Sequence, residues 1–173
     1  MQSLGTQQLL ALDEPLLLRQ CRVEFYKSGG PGGQKRNKTS SAAKITHLPT
    51  GIEAHSNDFR SQAENRVRAL HRLRFRLAAL LRTAIDTRGY EPPVWLAPYR
   101  RQGQLHVNHS NPDCARVAAH ALDLLAATDG KVPATAALLG VSASSLVKFL
   151  RQEHMIWDAA CALWKALGVR IPS

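Results

Sequence analysis

Four glycines fall within six residues at Gly29, Gly30, Gly32 and Gly33, followed at once by the cations Lys35, Arg36 and Lys38. Glycine permits positive φ and lets another backbone approach with no Cβ between, at an entropic cost that an ordinary turn has no reason to repeat. A run of this kind cannot continue a strand or a helix, so it must be a loop made for close approach, and neighbouring secondary structure has to hold its ends. Upstream, Cys21-Arg22-Val23-Glu24-Phe25-Tyr26 alternates apolar and polar residues as a half-buried strand does. Downstream, Lys44 to Leu48 and Ile52 to His55 flank the turn formers Pro49-Thr50-Gly51 and predict a β-hairpin.

Asp13 reads as the N-cap of a short helix with Pro15 in its first turn. Ser61-Gln62-Ala63-Glu64 has the pattern of a capping box, so a longer helix starts there. Val67, Leu70, Leu73, Leu77, Leu80 and Ala84 recur at the spacing of one packed stripe, while Arg68, Arg72 and Arg76 recur every fourth residue on another side. Taken alone, such an arginine row fits a solvated helix face as well as a binding face. The aromatic and proline-rich stretch 91–112 reads as a structured connector, and apolar spacing then predicts helices to the C-terminus. The expected fold class is α+β: 1–90 a small sheet with the glycine loop and a long packing helix, 91–112 the connector, and 113–173 an all-α unit resembling a helix-turn-helix.

The net charge of +10 lies almost wholly in residues 1–104, which carry +9 against +1 for residues 105–173. A polyanion-binding surface is therefore expected in the first part. Cys21, Cys114 and Cys161 are widely spaced and odd in number, which fits neither a disulfide framework nor a zinc site. His106 and His109 lack a third ligand, and no metal or other cofactor is expected. There is no leader-like segment and no apolar run of membrane-spanning length, so a cytoplasmic protein with no membrane partner is expected.

One reading of the glycine loop is a phosphate cradle. In the nearest register, Gly32 to Thr39, the glycine needed before Lys38 is Asn37, and no parallel-sheet strand leads into it. The other reading is a resemblance. Gly-Pro-Gly-Gly-Gln at 30–34, then Asn37-Lys38-Thr39, Ile45-Thr46-His47-Leu48-Pro49-Thr50-Gly51-Ile52, and Arg60-Ser61-Gln62 with Asn65 beyond are similar, in that order, to the catalytic domain of class I peptide chain release factors. The resemblance covers about residues 20 to 82.

It implies a loop that enters the peptidyl transferase centre and hydrolyses the peptidyl-tRNA ester. Gly32, Gly33 and Gln34 would be the catalytic residues, the glycines shaping the backbone and the Gln34 N–H stabilising the charge that develops. Gln34 would also be methylated by a glutamine methyltransferase. The partners implied are large-subunit rRNA and P-site peptidyl-tRNA, with Lys35, Arg36, Asn37, Lys38, Thr39, Arg60, Ser61, Gln62, Arg68, Arg72 and Arg76 meeting RNA. Lys35-Arg36 stands where the family commonly has a neutral pair. The chain leaves no room for stop-codon-reading domains, so the pattern is closer to small codon-independent factors that rescue stalled ribosomes.

Beyond residue 113, Ala136, Leu139, Gly140, Val141, Ser142, Leu146 and Phe149 have the spacing of a helix-turn-helix. Its second helix offers only Lys148 and Arg151 as cations, close to Glu153, which favours a packing or docking unit over a DNA reader. Trp157 and Trp164 read as core. Two other functions stay open at this point: a non-hydrolytic ribosome- or RNA-associated factor, and a helix-turn-helix DNA-binding protein.

Overall fold

The computed structural model describes residues 5–27 and 41–172. Gly32, Gly33 and Gln34, together with Lys35, Arg36, Asn37, Lys38 and Thr39, lie outside the described residues. The fold is α+β, and the chain divides into two compact units, residues 12–77 and residues 5–11 with 78–172.

In the first unit, α2 (Glu14–Leu18) starts at Asp13, whose Oδ1 accepts from the Leu16 N–H at 2.9 Å. Strands β1 (Cys21–Tyr26), β2 (Ala42–His47) and β3 (Glu53–Ser56) form an antiparallel sheet in the order β1-β2-β3. The register runs from Cys21 opposite His47 to Tyr26 opposite Ala42, and from Thr46 opposite Glu53 to Ala43 opposite Ser56. The central strand buries Ala42, Ala43, Ile45 and His47. The expected alternation in β1 fades at its end, where Phe25 and Tyr26 are both exposed.

Helix α3 (Gln62–Leu80) begins where expected, with the Ser61 hydroxyl accepting from the Glu64 N–H at 3.4 Å. Its packed face differs from the expected stripe: Val67 and Leu80 are each 59% exposed, and Ala84 lies beyond the helix end. Asn65, Ala69, Leu70, Leu73, Phe75, Leu77 and Ala78 are buried, so the packed face is narrow in the first turns, where Val67 is left out, and widens toward the end of the helix. The short side chain Ala69 and the polar Asn65 are members that a search for large apolar residues passes over. Arg74 is buried as well and donates from Nη2 to the Leu12 carbonyl at 2.7 Å.

The second unit begins with α1 (Thr6–Leu10), whose Leu9 and Leu10 are buried, and its centre is α4 (Asp113–Ala127). The last turn of α3 is closed by Arg82, which reaches the Ala78 and Ala79 carbonyls and pairs with the buried Asp123 at 3.1 Å. Within 91–112 the chain forms a 3-10 helix (Val94–Tyr99) and the short hairpin β4 (Arg100–Arg101) and β5 (Gln104–Leu105). Gln102 and Gly103 turn it with φ of 49° and 70°, the double positive φ of a tight hairpin turn.

Helices α5 (Val132–Leu139) and α6 (Ala143–Leu150) meet at 97°. Gly140 ends the first in the left-handed region at φ 70°, and the Ser142 hydroxyl caps the second by accepting from the Ser145 N–H at 3.2 Å. The turn and cap thus sit on the residues whose types announced them. In α7 (His154–Ala166) Trp164 is fully buried and donates Nε1–H to the Gly130 carbonyl at 2.9 Å, while Trp157, half-buried, packs edge-on against it at 5.5 Å.

Candidate functional site

The chain leaves the sheet after Tyr26 and returns at Ala42, and these two residues face each other as the last pair of the β1–β2 ladder. Whatever residues 28–40 do, they do it from the end of this ladder. Its return side is held by the buried Asn65 of α3. The Asn65 amide nitrogen donates to the Ser41 carbonyl at 2.8 Å and to the Phe59 carbonyl at 2.7 Å. Its oxygen accepts from the Ser56 hydroxyl at 3.0 Å and the Phe59 N–H at 3.0 Å.

One side chain therefore binds the loop's return point, the end of β3, the 57–60 turn and the start of the long helix. A primary amide has two donors and an acceptor oxygen with two lone pairs, and all four are used. Asn65 stood in the sequence pattern only as a matching letter. A polar residue on the packed arc of an amphipathic helix was the available sign of its role.

The motif Ile45 to Ile52 is likewise a latch. His47 is buried between the Thr50 hydroxyl at 2.8 Å and the Gln20 amide oxygen at 3.3 Å, and burial holds its imidazole below the usual value. Gly51 donates to the His47 carbonyl at 2.8 Å with φ 69°, a conformation that favours glycine.

The arginine row resolves into separate roles. Arg72 donates to the His55 carbonyl at 2.9 Å and to Asp58 Oδ2 at 2.9 Å, so it ties α3 to the edge strand β3. Arg68 approaches the same carboxylate oxygen at 3.5 Å. Arg60 and Arg76 are exposed, as is Gln62, with Ser61 half-buried at the helix start. Arg66, which is not in the expected row, pairs with Glu14 at 3.0 Å. Asp58 was not singled out from the sequence, although an acid between a hairpin and a basic helix is the natural partner for both.

No group of three or more His, Cys, Asp or Glu side chains able to hold a metal occurs among the described residues. His109 lies against Glu153 at 2.7 Å. The three cysteines are free thiols; burial pushes Cys21 up to about 11 and Cys114 up to about 12, so neither is poised as a thiolate nucleophile.

The described part of the site is thus a latched sheet end in an α+β fold, beside a helix that carries the exposed Arg76. Residues 16–90 match the RF-1 domain. Relatives include peptide chain release factor 1 of Kineococcus radiotolerans, 51% identical over 65 residues, which are 38% of this chain and 18% of that protein. Another is peptide chain release factor 2 of Treponema pallidum, 59% identical over 58 residues, 34% of this chain and 16% of that protein. A third is release factor 1 of Caulobacter vibrioides, 48% identical over 66 residues, 38% and 18% of the two chains. Residues 16–90 thus carry a domain similar to the catalytic domain of class I release factors. It spans less than a fifth of the length of these relatives.

Proposed function

We propose that the chain hydrolyses the ester of peptidyl-tRNA on the ribosome and does so without reading a codon. The observation that carries the first half is the RF-1 domain match, which contains Gly32-Gly33-Gln34 at the place where the chain departs from and rejoins the β1–β2 ladder. Water adds to the ester carbonyl carbon, the bond to the tRNA 3′-oxygen breaks, and the products are a peptide carboxylate and a free 3′-hydroxyl. A fixed backbone N–H at Gln34, aimed at charge that exists only in the transition state, contributes a factor of about 100 to 1000 in a water-poor site. Gly32 and Gly33 supply the close backbone approach, and methylation of the Gln34 side chain by a glutamine methyltransferase belongs to the same reading.

Arg60 and Arg76, exposed at the start and along the face of α3, meet rRNA phosphates together with Lys35, Arg36 and Lys38, while Arg72 and Arg68 hold the scaffold through Asp58. Support for codon independence comes from residues 91–172, which lie outside the RF-1 domain and fold as a helical unit. The cytoplasm is the setting that goes with this substrate.

The test is single-turnover release of a labelled peptide from ribosomes holding peptidyl-tRNA in the P site. The A site is presented empty on truncated mRNA, with a sense codon, or with a stop codon. Release on the empty A site equal to or faster than on the stop codon is expected. Release on stop codons alone contradicts codon independence, and ribosome pelleting with no release on any template supports the non-hydrolytic reading instead.

A further inference from the structure

The β4–β5 hairpin is fixed to the helix-turn-helix at two points. The Ser142 N–H donates to the Gly103 carbonyl at 2.7 Å, and the Leu105 N–H donates to the Ser145 hydroxyl at 2.9 Å. The hairpin tip therefore stands beside the first turn of α6, as a wing stands beside a recognition helix. Arg101, Gln102 and Gln104 on the tip are exposed, and so are Ser142, Ser144, Lys148 and Arg151 along and just beyond the helix.

Neither 100–105 nor 142–151 contains a carboxylate. The nearest acid in sequence, Glu153, has a side chain only 13% exposed, and its oxygens are taken by His109 at 2.7 Å and His154 at 2.9 Å. No ion pair among the described residues engages Arg101 or Lys148. The shortage of cations that counted against this helix in the sequence is thus relieved by a cation brought from the hairpin, and the acid beside it is turned to other partners.

We propose that this hairpin-and-helix surface binds double-stranded RNA through its phosphates and 2′-hydroxyls. The chemistry favours RNA over DNA. Three cations are few for a helix that must hold itself in a B-form major groove, whereas hydroxyls and carboxamides such as Ser142, Ser144, Gln102 and Gln104 match the 2′-hydroxyls of a shallow A-form minor groove. With so few charges the surface binds weakly by itself, and it gains strength from tethering to a second RNA-binding unit in the same chain. Duplex binding by this surface is independent of hydrolysis.

Fluorescence anisotropy of the whole chain titrated onto a labelled RNA duplex of about 20 base pairs, over a salt series, reads it directly. Arg101→Ala with Lys148→Ala is compared with wild type, and again in an Arg60→Ala/Arg76→Ala background where the first unit contributes less. In that background we expect Kd to rise about five- to tenfold and the slope of log K against log salt to fall by about 1 to 2, with the melting temperature unchanged. Ser144→Glu weakens binding and Ser144→Thr does not. Unchanged Kd and slope in both backgrounds overturn the proposal, as does a DNA duplex of the same sequence bound as tightly as the RNA.

Discussion

The two units solve the problem of holding a chain in place by different means. In residues 12–77 the positions nearest the loop are secured by polar latches: Asn65 with its four hydrogen bonds, His47 in its turn, and Arg72 on Asp58. In the second unit apolar burial is more extensive, around α4, where Val117, Ala121, Leu122, Leu124 and Leu125 are fully enclosed, and around Trp164, with polar ties such as Arg82 to Asp123 and Leu105 to Ser145 added to it. Directional hydrogen bonds fix the position of a few backbone points, and burial stabilises an element without fixing any one atom so tightly.

The comparison can be broken most severely at Trp164. Replacing it with Ala empties a fully buried site and removes the bond to Gly130, and about 4 kcal/mol of stability should be lost. Hydrogen exchange should show the loss in 113–169 and leave the β1–β3 amides protected. Equal loss in both regions would mean that the two are not held separately.

Acid should act next most strongly, and again on the second unit. His120 is buried against Tyr90 at 2.6 Å, and burial together with the Arg116 guanidinium holds its imidazole down to about 4. The unfolded chain, titrating near 6.5, then binds more protons than the folded one between these values. The stability that the neutral ring contributes is thus complete above pH 6.5 and is lost as pH falls toward 4. The loss is about 3 kcal/mol at most, from a shift of 6.5 to about 4. Melting curves across this range should flatten in a His120→Gln variant; an unchanged pH slope would show that another group is responsible.

A smaller but more localised effect is expected at the latch. Asn65→Ala strands two carbonyls, an N–H and a hydroxyl, and should cost about 2 to 3 kcal/mol, with exchange increasing at 41–43 and 56–61. If release activity then falls more than stability explains, the latch also aims the loop. The smallest contrast lies along the arginine row. Arg72→Ala should lower stability by about 1 kcal/mol through the lost tie to β3, and Arg76→Ala should leave the melting temperature unchanged while weakening RNA binding.

Much of this architecture was readable because its signals are local. The Asp13 and Ser142 caps, the strand before the glycines, the Pro49-Thr50-Gly51 turn and the Gly140 helix end each depend on a few adjacent residues, and each lies where the spacing predicts it. Features whose partners are distant in sequence were not readable. Asn65 reaches back 24 residues to Ser41, Arg74 reaches 62 to Leu12, and Ser145 reaches 40 to Leu105. No periodicity marks such pairs.

The expected stripe on α3 failed at Val67 for a related reason. Apolar character names candidates for burial, but in the first turns of α3 the buried positions are Ala69, Leu70 and the polar Asn65, and Val67 is exposed. The residues proposed as catalytic, Gly32, Gly33 and Gln34, rest on family resemblance alone, whereas the hairpin beside α6 became visible only in the folded chain.

The central claim is that the chemistry belongs to the Gly-Gly-Gln loop carried by the first unit. Release of labelled peptide from stalled ribosomes, measured at equal ribosome occupancy for the wild-type chain and Gly33→Ala, tests it most directly. The account predicts a rate lower by about 100-fold or more with occupancy unchanged; equal rates at equal occupancy would contradict it.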